Sequence, residues 1–144
     1  MEVKWIPSMS VNEKTIDNQH KKLLAQIEKI IQIISSLEVN MSVLRETIRF
    51  LYEYIKDHLS YEEGYMRKNN YPDIEKHKEI HRNFVQFYEN FQKELKEKIT
   101  SGYFSSIEIK ELLEKVKEHL ADWWINHIST IDQTYAKYIK SHSK

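Results

Sequence analysis

The sequence predicts an all-α protein: an antiparallel, up-down-up-down four-helix bundle with an irregular N-terminal arm. Apolar residues recur at helical spacing in four long runs. Only two Gly and two Pro interrupt 144 residues, too few for a fold of many short strands. The polar breaks between the runs are short, which makes successive helices antiparallel neighbours.

The arm runs through Val11. The first apolar series is Ile16, Leu23, Leu24, Ile27, Ile30, Ile31 and Ile34, placing a helix at about 12–37. The second, Leu44, Ile48, Leu51, Ile55, Leu59 and Met66, places one at about 42–69 with Ser42 as N-cap. Asn69-Asn70-Tyr71-Pro72-Asp73 breaks that run, and Pro72 suits the start of a third helix at about 73–100. Its apolar residues are Ile80, Phe84, Phe87, Phe91, Leu95 and Ile99, and Ser101-Gly102 ends it. Ser105 and Glu108 have the spacing of a capping box. They head a fourth helix at about 105–140, built on Leu112, Val116, Leu120, Trp123, Trp124, Ile128, Ile131, Tyr135 and Ile139. That helix outruns its partners, so fraying is expected after Tyr138. Residues 1–144 read as a single domain without repeats.

Composition removes several function classes. Twenty-two basic residues balance twenty-two acidic ones, so no global field draws nucleic acid or an anionic membrane. Pairs such as Lys21-Lys22 read as solvated helix faces. With no cysteine, disulfides, iron–sulfur clusters and thiolate zinc sites are excluded. No eighteen-residue apolar run occurs and MEVKWIPSMS lacks a signal-peptide core, so the expectation is a cytoplasmic protein. The evenly charged helix surfaces predict a monomer.

The histidines carry the chemistry. Of seven, His20, His58, His77, His81 and His127 fall on or beside apolar helix faces. A lone inward histidine is usually a hydrogen-bonded core residue. His58 and Glu62 are spaced i, i+4, as are His77 and His81, so each pair shares a face. Neither spacing is specific alone. Height in the bundle is the sharper test. With turns centred near residues 39, 71 and 102, His20 and His58 are equidistant from the first turn. Glu62 and His81 are nearly so from the second, and His77 and His127 from the third. Antiparallel helices of equal rise put each pair at one level. His119 and His142 fail this test and read as structural or solvated.

Five imidazoles with Glu62 and Asp132 exceed the needs of one ion, and donors without sulfur suit iron, manganese or zinc. If both carboxylates bridge two ions and one further oxygen does too, the set supplies about eleven of roughly twelve octahedral bonds. One position stays open for a small ligand. Asp132 follows His127 by five residues, about 140° around a regular helix. A π-type turn between them is therefore expected.

The stretches IDNQHKKLL around His20, HLSYEEGYMRKNNYPDIEKHKEIH from His58 to His81, and WWINHISTID up to Asp132 resemble the hemerythrin family, within it the single-domain bacteriohemerythrins. The resemblance covers nearly the whole chain, including the arm with Trp5. It implies two iron ions (Fe2+/Fe3+), one held by His77, His81 and His127 and the other by His20 and His58. Glu62, Asp132 and an oxo or hydroxo group would bridge them. Dioxygen would bind at the iron with two histidines, held as a hydroperoxide, and leave by the reverse transfers. The implied function is reversible dioxygen binding for transport or storage, with possible delivery to an oxygen-using protein. A dry apolar pocket protects such a site from irreversible oxidation, and Leu23, Leu24, Ile27, Trp123 and Trp124 are candidates for its lining. Trp124 stands where members of this family commonly carry leucine.

The sequence argues against two enzyme classes. Ferritin-like oxidases use Glu-x-x-His pairs, and none occurs here; zinc peptidases need His-Glu-x-x-His, whereas Lys78 follows His77. A non-enzyme is expected. Oxygen or nitric oxide sensing, or iron handling, through the same site is the alternative.

Overall fold

The computed structural model describes residues 3–102 and 104–142; the remaining ends of the expected domain and Tyr103 lie outside the described residues. Four helical rods form the bundle, with no strand among the described residues. Helix α1 spans Lys14–Ile34, α2 Met41–Lys68 and α3 Ile74–Thr100. The fourth rod, α4, covers 106–142 and contains two π turns, Lys117–Asp122 and His127–Ile131.

Local chemistry sets the ends. Glu13 caps α1 by accepting from the Thr15 and Ile16 amides. The helix stops at Ile34 and not near Leu37, because the Ser36 hydroxyl takes the Ile33 and Glu38 carbonyls at 2.8 and 3.0 Å. The N-cap of α2 is Asn40 and not Ser42: its side-chain oxygen accepts the Val43 amide at 3.0 Å. The same helix ends in a Schellman turn. Asn70 adopts φ 54°, Tyr71 N–H reaches Met66 O at 3.0 Å, and Asn70 N–H reaches Arg67 O at 3.1 Å. Pro72 precedes the N-cap Asp73 and lies outside α3, whose first residue is Ile74. At the far end of α3, Gly102 takes the left-handed φ of 78° that closes the helix. The expected capping box of Ser105 and Glu108 opens α4. That rod stays helical to His142, beyond the expected fraying point: Ser141 bonds Tyr138 O at 2.9 Å and the His142 ring stacks on Tyr138 at 4.0 Å.

Contacts fix direction and order. Tyr52 and Glu63 of α2 meet Glu89 and His81 of α3 in reverse order. Phe84, Phe87 and Glu94 of α3 meet Trp123, His119 and Lys115 of α4, again reversed. Helix α1 packs on α2 and on α4, closing the ring. The arm is irregular but anchored. Val3, Met9 and Val11 are buried, a 3-10 turn covers Pro7–Met9, and Asp17 accepts from Ser10 Oγ at 2.5 Å and Val11 N at 2.9 Å. No described helix is long and apolar enough to cross a membrane.

The interior is layered along the axis. A large apolar cluster fills one end, from Leu23 to Ile34, Leu44 to Leu59, Phe84 to Leu95 and Leu112 to Ile128. A smaller one, Val11, Ile16, Met66, Tyr71, Tyr135 and Ala136, closes the other under the arm. Every rod contributes buried histidine or carboxylate side chains between these two plugs. That layer is almost wholly buried.

Candidate metal centre

The four rods bring all seven expected residues to that layer. His20 comes from α1, His58 and Glu62 from α2, His77 and His81 from α3, and His127 and Asp132 from α4. None is more than 3 % exposed. Each expected level becomes a contact: His20 Nε2 lies 3.1 Å from His58 Nε2, His81 Nε2 lies 3.2 Å from Glu62 Oε1, and the His77 and His127 rings are 5.2 Å apart.

The expected π turn is there. Asp132 N–H bonds His127 O, five residues back, so the turn is one residue wider than α. This insertion rotates Asp132 onto the face that already carries His127. The second π turn, Lys117–Asp122, was not anticipated.

The seven residues fall into two groups whose ligand atoms gather within metal-binding distance. Glu62, His77, His81, His127 and Asp132 form one; His20, His58 and again Glu62 form the other. The carboxylates divide their oxygens between them. Glu62 Oε1 faces His77 and His81 at 3.5 and 3.2 Å, while Oε2 faces His20 and His58 at 3.5 and 3.7 Å. Asp132 Oδ1 faces His77 and His127 at 3.2 and 3.1 Å, and Oδ2 faces His20 at 3.3 Å.

These inward atoms do not satisfy one another. Glu62 Oε1, both Asp132 oxygens and Nε2 of His77, His81 and His127 are buried without a hydrogen-bond partner. Leaving one such group unpaired costs about 1–3 kcal/mol, so six such atoms in one buried layer describe a site shaped for cations. Electrostatics agree. Burial disfavours charge on His20 and His77, yet the facing Asp132 and Glu62 prevail and push both rings up to about 9. For His58 burial wins, bringing it down to about 3. Burial works against ionised Glu62, but His20, His77 and His81 hold it well below the carboxylate range. Asp132 is likewise lowered: burial and the Glu62 charge oppose ionisation, and His127 and His20 overcome them. The layer keeps two anions and asks for positive charge, and a nitrogen- and oxygen-lined cluster of this kind fits iron.

Three supporting residues escaped sequence reasoning. Gln19 Oε1 accepts from His58 Nδ1 at 2.7 Å and Glu63 Oε2 from His81 Nδ1 at 2.8 Å. Each contact fixes the tautomer that leaves Nε2 free to coordinate. Tyr135, read only as an apolar residue, donates its hydroxyl to Glu62 Oε2 at 2.8 Å. Adjacency was the available signal: Gln19 precedes a histidine of the cluster and Glu63 follows its glutamate.

Leu23, Leu24, Ile27 and Trp124 are buried in the adjoining apolar cluster. The Trp124 ring lies 5.9 Å from His58 and 5.7 Å from His127, and its Nε1–H has no acceptor. Trp123 is partly buried and lies flat on the His127 ring at 4.6 Å. His119 and His142 sit outside the layer and are exposed; His119 lies tilted against Phe87, and His142 stacks on Tyr138.

A helical bundle with a buried histidine–carboxylate layer is a metal-binding protein in architecture. Residues 12–139 match the hemerythrin family, described as the hemerythrin HHE cation binding domain. The chain belongs to that family. It is 29% identical over 136 residues to a bacteriohemerythrin of Campylobacter jejuni, covering 94% of each protein. A hemerythrin-like protein of Naegleria gruberi and a myohemerythrin of Theromyzon tessulatum are each 26% identical over 131 residues. In both, the match covers 91% of this chain and 88% of the relative.

Proposed function

We propose that this protein binds dioxygen reversibly, as a carrier or store, at a pair of iron ions, and turns over no substrate. One observation carries the reading: two clusters of buried donors share Glu62, and Asp132 also faces both. His77, His81 and His127 would hold one ion and His20 and His58 the other. Glu62, Asp132 and a solvent-derived oxygen would bridge them. The printed names of the relatives, bacteriohemerythrin and myohemerythrin, support the same assignment.

When bound, the iron pair supplies the electrons that dioxygen takes up on binding and returns on release. The chain does the rest. Three imidazoles saturate one side of the layer and two leave the other short of donors, which directs a small ligand to the His20–His58 side. Glu63 and Gln19 lock ring orientation, and Tyr135 steadies Glu62. The apolar plugs exclude water, which would otherwise solvate and carry off a reduced oxygen species. Delivery to an oxygen-using protein and life as a cytoplasmic monomer belong to the same proposal.

The test is reconstitution with ferrous iron under anaerobic conditions, followed by cycles of dioxygen admission and removal watched in the visible spectrum. A charge-transfer band that appears with dioxygen and disappears on its removal, over many cycles, is the expected result. Irreversible conversion on first exposure overturns the carrier reading.

A further inference from the structure

The π turn His127–Ile131 brings Asp132 to the cluster, so whatever holds that turn controls the carboxylate. The side-chain amide of Gln133, the next residue, donates to two carbonyls at once. One is Ile128 O, inside the π turn, at 3.1 Å; the other is Met9 O, in the N-terminal arm, also at 3.1 Å. The 3-10 turn Pro7–Met9 packs directly against the π turn, and Met9 itself is buried.

The wide turn has no intrinsic reason to persist. A π turn is rarer than α at equal length, and slipping back to the i to i−4 ladder would put Asp132 about 140° around the helix from His127, off the site. Local side chains reinforce neighbouring carbonyls, Thr130 at Asn126 O and Thr134 at Thr130 O, at 2.7 and 3.2 Å. Gln133 differs from these because it reaches across 124 residues of sequence to a second element. That element is in turn fixed to α1 through Asp17, three residues before His20.

We propose that Gln133 is a positioning residue for Asp132, and that the N-terminal arm is a working part of the metal centre: the arm, through Gln133, holds open the π turn that aims the bridging carboxylate. The part of this that concerns iron rests on the metal reading above; the part that concerns the turn does not.

Two measurements test it on the full chain. Hydrogen exchange of the metal-free protein reads the turn itself. Gln133→Met keeps the length of the side chain and removes both donors, so amides of 127–133 should exchange faster while those of 44–51, in the distal apolar plug, stay unchanged. Anaerobic transfer of iron from the loaded protein to a ferrous chelator reads the consequence, and should be about tenfold faster or more, the usual size of effects on ligand-supporting contacts. Gln133→Lys restores a donor of similar reach and should recover most of the wild-type rate. Asp17→Ala removes the arm's hydrogen bonds to α1 without touching Gln133; it should accelerate release in the same direction, and the double variant should add little to Gln133→Met alone.

Several outcomes overturn the proposal. They are exchange at 127–133 equal to wild type, acceleration spread evenly over all peptides, or release within twofold of wild type in Gln133→Met. If Gln133→Met does not fold, unchanged release from Asp17→Ala overturns it alone. Failure of the wild type to take up two irons sinks the dioxygen reading and leaves the exchange result standing.

Discussion

The two halves of the cluster are built differently. On one side His77, His81 and His127 converge on two carboxylate oxygens, with a carboxylate, Glu63, behind His81. On the other, His20 and His58 stand alone with the remaining oxygens. A neutral amide, Gln19, backs His58, and His20 Nδ1 is buried without a partner. The first half has more donors and stronger support; the second has fewer donors and weaker support. The difference teaches how one bundle builds two unlike halves: three imidazoles with a carboxylate behind one of them, against two with an amide behind one. Asymmetry in the outer contacts, as much as in the histidine count, creates it.

The largest effect should come from removing what the halves share. Glu62→Ala should abolish iron binding at both positions, whereas His20→Ala should leave the three-histidine half able to hold one ion; metal analysis after anaerobic loading decides. Equal loss from both changes would break the comparison by denying a shared bridge. Next, Glu63→Ala should weaken iron affinity by about tenfold or more, and Gln19→Ala by less, because a carboxylate strengthens its imidazole more than an amide does. Competition with a calibrated chelator measures both, and the reverse order would contradict the asymmetry. Tyr135→Phe removes a buried bond to ionised Glu62 and should destabilise the metal-free chain by about 2 kcal/mol in urea unfolding. The smallest change in stability belongs to Trp124→Leu. A cavity is created, but an N–H without an acceptor is removed, and the two oppose. Its effect should instead be kinetic: faster azide binding to the ferric protein at the two-histidine side, read by stopped-flow absorbance.

Most of the fold and the heart of the site were legible because both rest on periodicity. Residues that must share a helical face and a bundle level, such as His58 with Glu62 or His77 with His127, leave that constraint in their spacing. Even the π turn was visible, since an i, i+5 pair cannot meet on a regular helix. What stayed hidden was decided by short-range competition between side chains and backbone. Asn40 outcompeted Ser42 for the cap, and Ser36 ended α1 early by capturing carbonyls of its own turn. Gln19, Glu63 and Tyr135 were hidden for another reason. Their partners lie on other helices, and no spacing rule in one chain segment distinguishes a supporting glutamate from a solvated one. The π turn at Lys117–Asp122 has no residue pair in the sequence that demands it.

Mössbauer spectroscopy of the iron-loaded, oxidised protein tests most directly whether two unlike ions share one bridged site. The account predicts two irons per chain, two resolved doublets of equal area from inequivalent surroundings, and spins coupled to a diamagnetic ground state at low temperature. A single iron per chain, or magnetically isolated ferric ions, would contradict it.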